Sequence, residues 1–228
     1  MNNLTVVMAV YNGSKYLQFQ IDSILREISS KDLLLIYDDF SGEETKKLLE
    51  RYQINKNVKI IFGNKNIGPN ASFKKLVDLV QTKKLIFCDQ DDIWLKGRTK
   101  LIKKTDSKSL VIVNFFFLKN NIKIKSDINK INLFNTFIKN KVPGCSIGGD
   151  TEIIKSLFTE VPNTLLYDQV ILFKAVLRKI NIFIDVEPRF LYRRHENTFT
   201  KNGLAKDGYL LSLKRRFDLF SLIFSKEK

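Results

Sequence analysis

LIFCDQDDIW, residues 85–94, carries four apolar side chains, Leu85, Ile86, Phe87 and Cys88, straight into Asp89, Gln90, Asp91 and Asp92, and then into Ile93 and Trp94. A short uninterrupted apolar run reads as a buried strand. Three carboxylates therefore arrive where a buried strand ends, and unpaired charge there is strongly disfavoured. A divalent metal is the expected balance: carboxylate oxygens suit Mg²⁺ or Mn²⁺, and such an ion in turn holds nucleotide phosphates.

Upstream, the same pattern repeats. Residues 4–10 form an apolar, β-branched run ending at Tyr11-Asn12-Gly13-Ser14, and Leu17, Ile21, Ile24, Leu25 and Ile28 then fall at helical spacing. Residues 33–37 make a second strand running into Asp38-Asp39-Phe40-Ser41-Gly42, with Glu43 and Glu44 in the first turn of a helix, where acidic groups favour the helix dipole. Residues 58–62 are a third strand. After a loop holding Gly68 and Pro69 comes a helix with Phe73, Leu76, Val77 and Val80 on one face. Uniformly apolar strands alternating with helices predict an α/β fold, a Rossmann-like, mostly parallel central sheet flanked by helices. Ligands of such sheets bind at the carboxyl ends of strands, which gathers residues 9–12, 38–39 and 89–92 on one edge. No GxGxxG or GxxxxGK[ST] pattern offers a phosphate cradle.

The later part is less regular. Residues 110–118 read as a central strand, 119–130 as a polar hairpin or insertion, and 131–138 fit either type of element. Small residues fill 143–149, allowing close approach of a ligand. Asp150 starts a short helix, Asp168 begins a longer one, and 181–186 and 188–192 read as two short strands.

The 228 residues, 44% of them hydrophobic, suffice for one good core. Lys and Arg outnumber Asp and Glu by 39 to 24, a net charge of +15 that favours polyanionic or phosphate-bearing partners. Two cysteines, Cys88 and Cys145, are not at metal-ligand spacing and predict no disulfide framework, hence a reducing compartment. The N-terminal residues have no signal-peptide pattern, and the longest apolar stretch falls short of the ~20 residues of a spanning helix. Residues 206–228 place Tyr209, Leu210, Leu213, Phe217, Phe220, Ile223 and Phe224 at approximate helical spacing among Lys214, Arg215 and Arg216. Such a basic amphipathic helical tail can lie on an anionic bilayer. It can equally dock on the protein's own core or on a second copy in a homodimer.

Four motifs in order, Val6 to Asn12, Tyr37-Asp38-Asp39-Phe40-Ser41, Asn66-Ile67-Gly68 and Asp89 to Trp94, resemble those of the inverting family 2 glycosyltransferases with their GT-A fold. The wording Asp-Gln-Asp-Asp-Ile-Trp is similar to a branch rich in bacterial rhamnosyltransferases. The resemblance implies a nucleotide-sugar-binding half over 1–92, an acceptor-binding half over 93–205 and the tail beyond. It implies that Asp39, with Asp38 nearby, accepts the imide N–H of a uracil or thymine ring framed by Ala9, Tyr11 and Asn12, with the Gly68 loop also on the donor. Asp91 and Asp92 would meet the donor and the metal, Asp92 foremost, while Asp89 supports from the strand end. Asp168 would be the catalytic base, with Tyr167 and Gln169 in place of the family's usual neighbours, and Trp94, Gly144, Cys145 and Ser146 would lie on the acceptor side. Arg194 would bind the diphosphate, and His195, in Tyr192-Arg193-Arg194-His195, the metal or the diphosphate.

The implied function is inverting transfer of a hexosyl unit from a UDP- or dTDP-sugar to a glycan or lipid-linked acceptor of the bacterial surface, in the cytoplasm or on the inner face of the membrane. Local chemistry competes with several of these roles: Asp38, Asp39 and Asp168 are also ordinary residues for helix starts. A sugar nucleotidyltransferase would want a Gly-rich basic loop after the first strand, which is absent. A nucleic-acid-binding protein, or a catalytically silent glycan-binding one, would explain the charge or the fold; the first should gather its Arg and aromatic residues on one element and lack a central acidic cluster, so nucleic acid is not an expected partner.

Overall fold

Leu4–Val10 (β1) is buried along nearly its whole length, and its place at the centre of the fold explains why it shows no apolar/polar alternation. In the computed structural model, which describes residues 3–119, 122–138, 142–158, 161–193 and 209–224, β1 pairs in parallel with Asp32–Asp38 (β2) on one side and Lys84–Cys88 (β4) on the other. Val58–Phe62 (β3) pairs in parallel with β2. The helices Ser14–Leu25 (α1), Glu43–Tyr52 (α2) and Gly68–Leu79 (α3) connect them. Val10 is opposite Asp38 and Met8 opposite Cys88, so the three strands end together and Tyr11, Asp39 and Asp89 emerge along one edge.

Beyond β4 the sheet becomes mixed. Ile147–Asp150 (β8) runs antiparallel to β4 and to Ser109–Lys119 (β6); Asn181–Arg193 (β9) runs parallel to β6, and Ile93–Trp94 (β5) antiparallel to β9. Ile122–Lys125 (β7) closes a hairpin on β6, realising the hairpin expected over 119–130. The order across the sheet is β3-β2-β1-β4-β8-β6-β9-β5. Gly149 (φ +139°) lets β8 enter this sheet, since a Cβ there would stand 2.4 Å from the Ser109 carbonyl oxygen.

Two expectations change. The strands expected over 181–186 and 188–192 are one strand, β9, whose register slips around Asn114; Asp185 accepts from the Glu187 N–H and from Arg189, so the interruption is an irregularity within a continuous ladder rather than an end. The ambiguous 131–138 segment contains a helix, Leu133–Ile138 (α5). Arg98–Lys104 (α4), Thr151–Leu157 (α6), capped by Asp150, and Tyr167–Leu177 (α7) cover the remaining faces. The C-terminal helix, Tyr209–Phe224 (α8), packs on α7 and α5. Its Leu219 is fully buried in a small cluster with Leu165, Val170 and Phe173. Core docking therefore takes one face of the helix, while Leu213, Phe217 and Phe220 remain exposed on it.

Candidate active site

The strand ends are tied to one another through backbone groups. Asn12, in the left-handed region (φ 49°), donates its N–H to Ser41 Oγ at 2.9 Å and accepts the Gly42 N–H on Oδ1 at 2.9 Å. Asn tolerates that backbone conformation better than most residues. Asp38 is fully buried; its Oδ2 accepts the Ser41 N–H at 3.2 Å and its Oδ1 has no hydrogen-bond partner. Both oxygens of Asp39 are engaged, one by the Ile67 N–H and one by the Gly68 N–H, each at 2.8 Å. Asp39 is thus the anchor of the Asn66-Ile67-Gly68 loop, with two of its roughly four acceptor positions filled. Gly68 presents its amide at φ +80°, a conformation costing a side-chain-bearing residue about 1–2 kcal/mol. Ala9 lies at the end of β1, and Tyr11 beyond it is 49% exposed.

Gln90, inside the acidic run, grips the β1 end by both atoms of its amide. Its Oε1 accepts the Tyr11 N–H at 2.9 Å and its Nε2 donates to the Tyr11 carbonyl oxygen at 3.1 Å. A side chain thereby extends the β1–β4 ladder past the last residues that pair through backbone. Gly13 leaves room for this grip, because a Cβ there would stand 2.4 Å from Gln90 Oε1 and the amide would have to shift.

The carboxylates lie deeper. Asp92 is 1% exposed; Oδ1 accepts the Arg193 N–H at 3.1 Å, and Oδ2 is buried without a partner. Burial, then the charges of Asp91 and Asp89, hold its carboxyl well above the usual range. The partly exposed Asp89 is pushed up to about 7, by burial and then by the charge of Asp91. Carboxylate oxygens of Asp89 and Asp92 and the Cys145 sulfur all lie within 4.8 Å of one another. An orphaned buried oxygen and two carboxyls held above their normal range favour a positive charge beside them. These residues fit a divalent cation.

Part of that charge comes from Arg98, 1% exposed. Its guanidinium lies 4.4 Å from the Trp94 ring centroid and 4.9 Å from that of Phe190, and donates to the carbonyl oxygens of Phe87, at 3.2 Å, and Cys145. Its Nε and Nη1 have no partner. Trp94, expected on the acceptor side, is a core residue stacked on this guanidinium. At the outer rim, Arg193 Nε donates to the Asp91 carbonyl oxygen at 3.0 Å while its guanidinium covers the Tyr16 ring at 4.6 Å.

Asp168, 9% exposed, sits in the first turn of α7. Burial pushes it up to about 6, against the opposing effect of backbone amides of Gln169 and Gly144. The helix start is clamped by Asn70, whose Oδ1 accepts the Tyr167 N–H at 3.1 Å and whose Nδ2 donates to the Leu165 carbonyl oxygen at 2.9 Å. The Tyr167 ring packs among Phe73, Phe87 and Phe158 at centroid distances of 4.6, 5.1 and 5.5 Å. Gly144 must remain glycine, since a Cβ would lie 2.0 Å from the Tyr167 hydroxyl. Gly144, Cys145 and Ser146 are all buried, so this segment stands behind the acidic cluster. Arg194 and His195 lie outside the described residues.

Gln90, Arg98 and Asn70 had no role in the sequence reading. Gln90 was visible between two carboxylates, where an amide invites the question of what it binds. Arg98 reads locally as one more surface cation in a basic chain, and Asn70 as a loop residue.

A family model described as "Glycosyl transferase family 2" matches residues 5–161. The dTDP-rhamnosyl transferase RfbG of Shigella flexneri is 27% identical over 241 aligned residues, covering 96% of this chain and 80% of that protein. The putative teichuronic acid biosynthesis glycosyltransferase TuaG of Bacillus subtilis is 25% identical over 96 residues, 42% of this chain and 38% of that protein. Among solved structures, S. aureus TarS 1–349 in complex with UDP-GlcNAc superposes with a TM-score of 0.71 at 17% identity over 88% of this chain; this chain spans 61% of that one. The mannosyltransferase PcManGT of Pyrobaculum calidifontis, in complex with GDP-Man and Mn²⁺, gives 0.68 at 12% identity, covering 99% of this chain and 65% of that one. Both likenesses concern the fold.

Proposed function

The chain belongs to glycosyl transferase family 2, and on that premise we propose that this glycosyltransferase moves a sugar from a UDP- or dTDP-sugar, dTDP-rhamnose foremost, to a hydroxyl of a bacterial surface glycan or lipid-linked saccharide, with inversion at the anomeric carbon. The observation that carries this reading is the orphaned Oδ2 of Asp92, buried at the same sheet edge as the β1 and β2 ends. The likeness to RfbG supports the donor, and that to TuaG a cell-envelope acceptor.

Residues 1–92 serve the donor. Tyr11 and Asn12 frame the base, Asp39 and Gly68 fix the loop beside it, and the imide N–H of uracil or thymine donates to an acceptor position left on Asp39. Asp91 faces the donor sugar. Asp92, with Asp91, holds Mg²⁺ or Mn²⁺, and the family resemblance assigns His195 and Arg194 to the cation or the diphosphate. The cation, when bound, offsets the negative charge that develops on the departing nucleotide diphosphate.

Residues 93–205 serve the acceptor. Asp168 takes the proton of the attacking hydroxyl as its oxygen bonds to the anomeric carbon, opposite the leaving diphosphate. A carboxyl titrating near 6 is ionised at neutral pH yet basic enough to share that proton. Gly144 and Asn70 keep it in place.

Among the described residues no helix is long and apolar enough to cross a membrane. Leu213, Phe217 and Phe220, exposed along α8 beside Lys214 and Arg216, suit the surface of an anionic bilayer, where a lipid-linked acceptor resides. The deciding assay is release of nucleotide diphosphate from a panel of nucleotide-sugars with and without Mg²⁺ or Mn²⁺, with the product anomer read by NMR. Transfer with retention, or from none of the UDP- or dTDP-sugars, overturns the reading.

A further inference from the structure

Cys145 has a place in the acidic cluster that a packing residue does not need. Its sulfur lies within 4.8 Å of a carboxylate oxygen of Asp89 and one of Asp92, close enough for the thiol to act on both carboxyls, and Oδ2 of Asp92, a residue 99% buried, has no other donor. We propose that Asp89, Asp92 and Cys145 form a mixed carboxylate–thiolate site for a borderline divalent cation such as Zn²⁺, sharing Asp92 with the donor's Mg²⁺ or Mn²⁺.

The ligand chemistry points that way. A hard cation such as Mg²⁺ takes oxygen ligands, whereas a thiolate draws Zn²⁺ and ions like it. In a tetrahedral zinc site, bonds of about 2.3 Å to sulfur and 2.1 Å to oxygen set neighbouring ligand atoms roughly 3.6 Å apart. Rotation of the two carboxylates closes the remaining gap, and water fills the fourth position.

The charges also agree. With Asp89, Asp91, Asp92 and Cys145 ionised, the buried guanidinium of Arg98 offsets one negative charge and a divalent ion two more, which leaves the charge of Asp91 for the donor side. Arg98 already holds the Cys145 carbonyl oxygen, which fixes the segment carrying the sulfur. Asp89 is partly exposed and provides the way in. On binding, the thiol proton leaves to solvent as the sulfur–metal bond forms. The second buried thiol, Cys88, accepts from Gln20 Nε2 at 2.6 Å and is not part of the cluster.

The test uses the full chain, stripped of metal and without nucleotide, titrated with Co²⁺ as a visible stand-in for Zn²⁺. The expected result is one equivalent bound with a thiolate-to-cobalt charge-transfer band in the near ultraviolet, which Zn²⁺ abolishes. Cys145→Ser should lose the band and weaken Zn²⁺ at least tenfold, while Cys88→Ser keeps both. Co²⁺ binding without that band in the unaltered chain overturns the proposal, whatever the variants do, as does undiminished Zn²⁺ affinity in folded Cys145→Ser. The proposal rests on the donor reading only through Asp92, and the two fail separately. Sugar transfer with Mg²⁺ but no thiolate band removes this site alone, and a thiolate band without transfer removes the donor reading alone.

Discussion

The backbone N–H of Arg193 donates to Oδ1 of Asp92 at 3.1 Å, joining residues 101 positions apart. The end of β9 thereby closes over the acidic run with an amide instead of a charge. The amide satisfies one oxygen and leaves Oδ2 for something else. Because the donor is backbone, the contact is insensitive to the side chain at 193, which is occupied with the Asp91 carbonyl and the Tyr16 ring.

Asp92→Asn should separate stability from activity. The amide keeps the Oδ1 acceptor and removes a buried carboxyl that burial and two neighbouring carboxylates disfavour in its charged form. We expect an unchanged or higher melting temperature in EDTA, with transfer reduced on the order of 100-fold or more. A fall of several degrees would mean that Oδ2 is satisfied after all.

Asp168 predicts the acid limb of the pH–rate profile. A base must be deprotonated, so the rate should rise with pH through about 6 and then level off. Stability runs the other way. The folded carboxyl holds its proton more tightly than the unfolded one, so the stability contribution is fully present below the unfolded value of 3.8 and is lost as pH rises towards about 6. Asp168→Asn should abolish transfer, retain donor binding and flatten that part of the stability curve, checked by initial rates and thermal melts between pH 4 and 8.

Gln90 tests whether the donor edge is held by a side chain. Gln90→Ala removes two hydrogen bonds to Tyr11, each contributing about 1 kcal/mol or less at this half-exposed position. The expected outcome is a modest loss of stability and a raised KM for the nucleotide-sugar with kcat nearly unchanged. Gln90→Glu should be worse than alanine, because a carboxylate oxygen would face the Tyr11 carbonyl. Equal kinetics for all three proteins would remove the residue from the donor site.

Arg98 and Asp92 should be energetically coupled. Arg98→Met strips donors from the Phe87 and Cys145 carbonyls and the counter-charge from the carboxylates, a loss of about 3–5 kcal/mol. Adding Asp92→Asn removes one of the charges left uncompensated, so the double variant should recover part of that loss in denaturant unfolding. Strict additivity would mean that the guanidinium acts only through packing between Trp94 and Phe190.

The two faces of α8 should respond differently. Leu219→Ala empties a buried contact with Leu165, Val170 and Phe173 and should cost about 2–5 kcal/mol. Phe217, 71% exposed, contributes little to folding. Phe217→Asp combined with Lys214→Glu should leave the melting temperature nearly unaltered and release the protein from anionic vesicles in a flotation assay. Retained binding would take the membrane role from this helix.

The N-terminal part of the sheet could be read from the chain because strands covered on both faces must be apolar throughout: 4–10 and 58–62 appear at their observed bounds, and the run 85–88 lies one residue inside β4. Asp150 and Asp168 likewise marked helix starts through local chemistry that acts within one turn. The mixed part of the sheet was harder to read. β9 looked like two strands because Pro188 and the residues around it break the local pattern, whereas the ladder to β6 runs on past them.

Sequence alone therefore determined the alternating architecture, the shared strand edge and the acidic run at its centre, since each follows from periodicity within a few residues. Only the tertiary structure decided what those residues do to one another. Gln90 reaches Tyr11 across 79 positions, Asp39 spends both oxygens on the loop at Ile67 and Gly68, Arg98 is buried behind the carboxylates, and Cys145 joins Asp89 and Asp92. The physical reason is the same in each case. A buried charge or amide is defined by the partner that folding brings to it, and that partner comes from another element of the chain.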